Sequence, residues 1–489
     1  MGESTLDFKC CHLHETASSR REFLARSGFG FGALALGCLL GEDTAFGTAA
    51  KRAVVDNPLA PRTPHFPARA KNVIFMFMKG GPSHIDTFDP KPELNRLDGQ
   101  YLPPSFRPED LNLQFVKAHE AKLMGSPRTF KRYGKSGIQI SDLFGNVGQL
   151  ADELAVIRSC YHDSLIHGPA ISLLFSGSVR LGHPTLGSWV TYGLGSESEN
   201  FPGFIAMAEG ATTASDKSLH GSGFLPAVYQ ATRANNEGPA FQNLDPPPQI
   251  GSDQQRRILE QLESWNRRHL ETRQDDSRLA ASISNYELAF RMQAAAPELT
   301  DLSSEPESIR SLYGLDEDRS ATFGRICLLS RRMVERGVRF VQLYQGNWDG
   351  HSKCDENHVG NAGIIDKPIA GLLADLKQRG LLETTLVVWI GEFGRTAVAQ
   401  GDGGRDHNPH GFSCWMAGGG IRGGKVIGAT DELGLRAIED RVHVHDLHAT
   451  ILSLLGLDHT RLTYLTQGRD MRLTDVGGQN DLSERLTRA

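Results

Sequence analysis

The sequence predicts an α/β fold with three layers, a mostly parallel sheet covered by helices on both faces. Three features carry that prediction. Strands recur at residues 71–78 (KNVIFMFM) and 385–390 (TLVVWI), both apolar runs, and at 338–344. Stretches with helical spacing stand between them, at 322–336 and 364–379. Each run ends in a loop dense in glycine and polar side chains, as strand-to-helix connections do. The runs 71–78 and 385–390, mostly apolar and not alternating, mark strands buried on both faces.

In chain order, residues 1–45 read as an export leader. Ser19-Arg20-Arg21-Glu22-Phe23-Leu24 is a twin-arginine (Tat-type) pattern, and the apolar, glycine-rich stretch 28–40 follows it. That stretch is too short to span a bilayer, which takes about 20 apolar residues. The leader is excluded from the fold and directs the mature chain to the periplasm or beyond. Cys38 offers a second arrangement, lipid attachment at the envelope. Residues 46–70, rich in Ala, Pro and Arg, read as a linker, and 71–475 as one domain. Within it Ser141 caps a helix whose Leu143, Val147, Leu150 and Leu154 share a face. A short strand follows at 155–157, then a helix from His167-Gly168 with Pro169 in its first turn. Another strand falls at 204–207, inside the Gly/Pro-rich stretch 178–250. Residues 253–300 form an inserted helical hairpin carrying Leu259, Leu262, Trp265, Leu270, Leu279, Ile283, Leu288 and Phe290, expected over the loops. Asp446 opens a last helix that Gly456 ends, and 476–489 is a tail.

The chain is 39% hydrophobic and 22% charged with a net charge of −6, and it has no Lys/Arg-rich run. That balance argues against a nucleic-acid partner, and no transmembrane span is expected in the mature chain. Of the cysteines, Cys10, Cys11 and Cys38 lie in the leader. Cys160, Cys327, Cys354 and Cys414 are too scattered for a zinc pair.

Four loops after the strands hold most of the chemistry. The first has Lys79, Ser83, His84, Asp86 and Asp89; the second His162, Asp163, Ser164 and His167. The third has Asp349 and His351, and the fourth Glu392, Arg395, Asp406, His407 and His410. A parallel sheet gathers the carboxyl ends of its strands at one edge, where ligands bind. Carboxylates with imidazoles suit Zn, Mn or Fe better than Ca or Mg. Each piece also has a plainer reading: Glu392 as a salt-bridge partner of Arg395, Asp86 as a turn cap, His84 on backbone. Their recurrence on four strand ends favours a metal.

The phrases GGPSHIDTFDPKP, GSWVTYGLG, GEFGRT, GRDHNPHGF and AGGGIRGGKVIGATDELG resemble those of a bacterial exported family catalogued as domain-of-unknown-function family 1501. The resemblance runs over about residues 71–472. It implies kinship with the alkaline phosphatase and sulfatase superfamily, hence an α/β/α fold and a two-metal site. The chain departs from that superfamily where it matters. The run HGPAISLLFSG (167–177) has the length of the sulfatase nucleophile motif and keeps Pro169, Leu174 and Gly177. His167 stands in the nucleophile's place and Ile171 in that of the partner arginine. Lys79 and Gly80 replace paired Asp ligands after the first strand, and Glu392-Phe393 replaces an Asp-His pair.

The resemblance implies an exported metal-dependent hydrolase of sulfate or phosphate esters, with a glycan ester as substrate. The expected cofactor is a divalent metal, Zn or Mn, as one ion or two. One site would comprise Asp349, His351 and His410. The other would comprise Asp86, Glu392 and His167, with His84, Asp406 and His407 as alternates. Lys79 and Arg395 would hold the anion, and metal-activated water would attack. Two other readings stay open: a binding or assembly protein that lost catalysis, and a transferase using a phosphorylated His167.

Overall fold

A computed structural model describes residues 58–106, 113, 115–117, 120–209, 219–236, 240–241, 251–271 and 277–488. The leader and the first part of the linker lie outside the described residues. Residues 58–70 lie against the domain: the Arg62 and His65 amides donate to the carbonyls of Leu194 and Gly456 at 2.9 and 2.8 Å.

The central strand is β1 (Asn72–Met78), buried along its whole length. The strands that follow in the chain are β2 (Leu154–Tyr161), β3 (Phe204–Ala208), β4 (Thr232–Ala234), β5 (Phe340–Gln345) and β6 (Thr385–Ile390). After these come a ribbon of β7 (Gly394–Gln400) and β8 (Gly404–Asn408), then β9 (Phe412–Gly418), β10 (Lys425–Ile427) and β11 (Val442–His443). The main sheet runs β10-β2-β9-β6-β1-β5-β3-β4, with β11 also on β2. β1 pairs in parallel with both β5 and β6. β9 alone in the described sheet runs antiparallel, between β2 and β6. The sheet is therefore mostly parallel, as expected, and the carboxyl ends of β1, β2, β5 and β6 share one edge.

Alternation along β1 separates the two faces. Ile74, Met76 and Met78 join a core with Phe323, Ile326, Ile365 and Leu372, from helices Ala321–Glu335 and Cys354–Gln378. Val73, Phe75 and Phe77 join the opposite core with Phe175, Trp189 and Leu447, from α1 (His167–Ser176) and helices Leu186–Leu194 and Val444–Leu454. Both faces of an all-apolar strand are thereby removed from water, the largest favourable term such a chain has.

Three elements differ from expectation. The helix expected from Ser141 is broken: Ser141 caps a short turn at Asp142–Phe144, and Gly145 and Gly148 occupy the next one. Glycine is a poor helix former, so the segment stops and feeds β2. The helix before β6 begins ten residues earlier than its sequence signal, at Cys354, and accommodates Pro368 inside it. The inserted hairpin exists as helices Ser252–Glu271 and Ser277–Thr300. Its second helix buries Leu288, Met292, Ala296 and Leu299 against the core and packs on the Ala227–Tyr229 turn. That packing sits at the β3–β4 side of the sheet, not over the loops. Among the described residues no helix is long and apolar enough to cross a membrane.

Gly80, just past β1, has φ +111°, and a Cβ there would lie 2.5 Å from the Asp349 backbone nitrogen. Both the backbone conformation and the close approach require glycine. Gly80→Ala should cost at least ~2 kcal/mol, read as a lower denaturant midpoint, while Gly99→Ala, which meets nothing within 4 Å, should cost less.

Candidate metal centre

The shared edge delivers its side chains from three distant stretches of chain. His167 is the first residue of α1, in the connection that follows β2. Asp349 and His351 follow β5, and Glu392 and Phe393 follow β6. The β7–β8 ribbon then folds back. His407 pairs opposite Arg395, after a register shift between Arg405 and His407.

At the centre is the Asp349 carboxylate. Its Oδ2 lies 3.2 Å from His167 Nε2, and its Oδ1 lies 3.0 Å from His351 Nε2 and 3.4 Å from His407 Nε2. The ligand-capable atoms of these four residues fall within 4.8 Å of one another. His407 is buried, whereas His167, Asp349 and His351 are each about 30% exposed, so the cluster opens to solvent on one side.

The far nitrogen of each ring fixes its tautomer. His407 Nδ1 meets the Leu165 carbonyl at 2.8 Å, His351 Nδ1 meets Gln400 Oε1 at 2.7 Å, and His167 Nδ1 meets Glu392 Oε1 at 2.6 Å. All three partners are acceptors, so each Nδ1 donates its proton and each neutral ring turns an Nε2 lone pair inward. His351 Nε2 and His407 Nε2 are 2.9 Å apart. With both Nδ1 atoms donating, lone pairs face each other there beside a carboxylate, an arrangement relieved by a metal ion or by a proton held between the two nitrogens. The donor set therefore fits a divalent ion of the zinc or manganese kind, with outer hydrogen bonds orienting every imidazole.

Without a metal, a proton serves. Burial opposes charge on His167, but the Asp349 and Glu392 carboxylates outweigh it and raise the pKa to about 9. Burial likewise opposes ionisation of Asp349, yet His167, His407 and Arg395 hold its carboxyl far below the usual range. Burial lowers the pKa of His407 and keeps that ring neutral.

The other expected residues have different partners. Glu392 is buried and accepts the Gly80 amide with both oxygens at 3.0 Å, besides His167. It orients a ligand instead of joining the four. Arg395 is fully buried; it donates to Asp349 Oδ1 at 2.6 Å and to the carbonyls of Gly80, Gly81 and Arg405. Four of its five N–H groups are thus committed, and its carboxylate partner is Asp349 instead of Glu392. Asp86 is tied to the buried Arg405, with Nε to Oδ2 at 2.9 Å, and accepts from Ser83 Oγ at 2.5 Å. Burial works against its charge, but Arg405 prevails and lowers its pKa. His84 Nε2 meets the Gly434 carbonyl at 2.8 Å. Asp406 accepts the amides of Phe115, Val116 and His407 at 2.7, 3.0 and 2.8 Å. The His410 amide donates to Asn408 Oδ1 at 3.1 Å, and Lys79 follows β1, half-buried. Asp86, His84, Asp406 and His410 thus stand outside the cluster, and His407 occupies the place expected of His410.

Sequence reasoning missed Gln400, the Leu165 carbonyl and the aromatic walls. Phe393 stacks on His407 with ring centroids 4.3 Å apart, and Phe115 stands edge-on to His351 at 5.1 Å. Gln400 lies in a ribbon strand that shows no apolar run, so nothing in its neighbourhood marked it.

A family model described as "Protein of unknown function (DUF1501)" matches residues 70–484. No curated protein sequence matches the chain. Among solved structures, the lipoteichoic acid synthase LtaP from Listeria monocytogenes is 10% identical with a TM-score of 0.38, over 86% of this chain and 77% of that one. The PsFucS1 sulfatase from Pseudoalteromonas sp. is 13% identical with a TM-score of 0.34, over 90% and 72%. A protein in the alkaline phosphatase superfamily from Vibrio parahaemolyticus is 11% identical with a TM-score of 0.32, over 82% and 70%. Superpositions this loose carry no chemistry across.

Because His167 is protonated below about pH 9, an entering cation must displace that proton. Affinity should therefore fall about tenfold for each pH unit below 9 and level off above it. Titration calorimetry of zinc at pH 7 in buffers of different ionisation enthalpy should count about one proton released; none released would refute the assignment. Glu392→Gln should weaken zinc binding by roughly 10- to 100-fold.

Proposed function

The chain belongs to the DUF1501 family, and on that premise we propose that it is a metal-dependent hydrolase of phosphate or sulfate esters with one cation site. The carrying observation is the convergence of three imidazole Nε2 atoms on Asp349, each ring fixed through its Nδ1. Asp349, His167, His351 and His407 would hold the ion, and Zn or Mn suits that donor set. When bound, such an ion supplies Lewis-acid polarisation and acidifies water.

The chain's own groups do the rest. Glu392 and Gln400 hold the rings of His167 and His351, so the ligands are preorganised. Arg395 balances the charge of Asp349 and ties it to the backbone beyond β1, a positioning role. The positive end of α1 opens at His167 and favours an anionic group beside the cluster. Lys79 follows β1 on the same edge and is half-buried, a position from which its charge would favour that anion. Both His167 nitrogens face carboxylates, at 2.6 and 3.2 Å, which leaves none to accept a phosphoryl group. Ser164 Oγ is directed to the Ile166 carbonyl at 3.5 Å. Water is thus favoured over a side chain as the nucleophile. The twin-arginine pattern at Arg20-Arg21 supports action outside the cytoplasm, where phosphorylated or sulfated glycans are the substrate class proposed.

One observation favours a second reading, a metal-retaining binding or assembly protein. Arg395 spends its guanidinium inside the protein, which removes the residue best suited to grip an ester. The two readings separate by experiment. Plasma mass spectrometry of the purified chain should find about one equivalent of transition metal, lost in Asp349→Ala and His407→Ala and kept in His410→Ala. On 4-nitrophenyl phosphate and sulfate, Asp349→Asn should lower kcat/KM by more than ~100-fold. One equivalent of metal without turnover on a broad ester panel would favour the binding reading; no metal after reconstitution would refute both.

A further inference from the structure

Phe115 is an exposed aromatic beside an ionic cluster, and the fold fixes it there. Its backbone N–H and that of Val116 donate to Asp406 Oδ2 at 2.7 and 3.0 Å, while Asp406 Oδ1 accepts the His407 amide at 2.8 Å. One buried carboxylate thus ties the Phe115 segment to the strand that carries a candidate metal ligand. The ring stands edge-on to His351, with centroids 5.1 Å apart and planes at 83°, and to His407 at 6.0 Å and 67°. These two ring contacts leave the residue 59% exposed. Leaving a phenyl ring in water gives up the gain from burying it. Fixing such a ring with a fully buried carboxylate makes sense if something covers it during function.

We propose that Phe115 is a specificity residue: its exposed ring packs against the flat, apolar face of a ring in the substrate's leaving group while the ester's anion lies at the metal cluster. The shared chemistry is a ring face, supplied either by an aryl group or by the C–H face of a pyranose. This rests on the ester-hydrolase reading and deepens it. Asp406 has a positioning role, because it holds the amides of Phe115 and His407 and touches no ligand of its own.

The test uses the full chain loaded with zinc and titrated with phosphonates that resist hydrolysis. Methylphosphonate, phenylphosphonate and a C-glucosyl methylphosphonate, joined to its sugar through carbon with no P–O–C ester, share the phosphonate group and differ in the ring. Wild type should bind one or both ring-bearing ligands roughly threefold to tenfold more tightly than methylphosphonate, and the arm with the larger gain identifies the ring. Phe115→Ala should bring all three close to parity at unchanged zinc content, and Phe115→Tyr should keep the preference. A preference that survives in Phe115→Ala overturns the subsite and leaves the ester reading standing. Failure of zinc-loaded wild type to bind any of the three overturns both.

Discussion

Everything at the carboxyl edge of the sheet depends on how Asp349 is compensated. A carboxylate held by a buried guanidinium and faced by three imidazoles is far too acidic to be protonated, so it is a permanent negative charge. Burying such a charge is costly unless it is paired and hydrogen-bonded. Arg395 meets part of that cost, and in doing so fastens β6's extension to the backbone carbonyls past β1. The remaining field draws either a proton onto His167 or a cation among the rings. Neighbouring features follow from this: glycine at position 80, the carboxylate behind His167, and the neutral state of His407.

Much of the fold was legible in the sequence because the strands that matter are buried on both faces. β1, β5 and β6 have no exposed residue, and such strands read as mostly apolar runs, broken in β5 only by Gln342 and Gln345. The β7–β8 ribbon was not legible. Arg395, Arg405, Asp406 and His407 are buried despite their polarity, because each finds a partner from another part of the chain. Polarity in a sequence ordinarily signals a loop, and no local pattern reveals partners that lie hundreds of positions away.

The same limit explains the site. The four loops were identifiable by composition, and His167, Asp349, His351, Glu392 and Arg395 do meet. Which histidine of the fourth loop turns inward was not readable. The register shift between Arg405 and His407 decides which side chains of β8 face Asp349, since a slip of one residue in a strand reverses every side chain. Asp406 therefore faces away, toward the Phe115 amides, while His407 faces the cluster. Chemical plausibility made Asp406 and Asp86 good ligands on paper; in the fold, one holds three amides and the other an arginine.

The inward-facing atoms belong to α1, the loop after β5 and the ribbon after β6, segments joined only by completed sheet pairing. No fragment of the chain holds more than part of the set, so a collapsed intermediate without the β7–β8 ribbon has no high-affinity place for an ion. Metal would thus bind the finished protein and scarcely its precursors. By mass action such selective binding stabilises the finished state in proportion to the logarithm of free metal. Resistance to unfolding would then rise and fall with the metal supply, and the cluster would act as a record of whether folding had been completed.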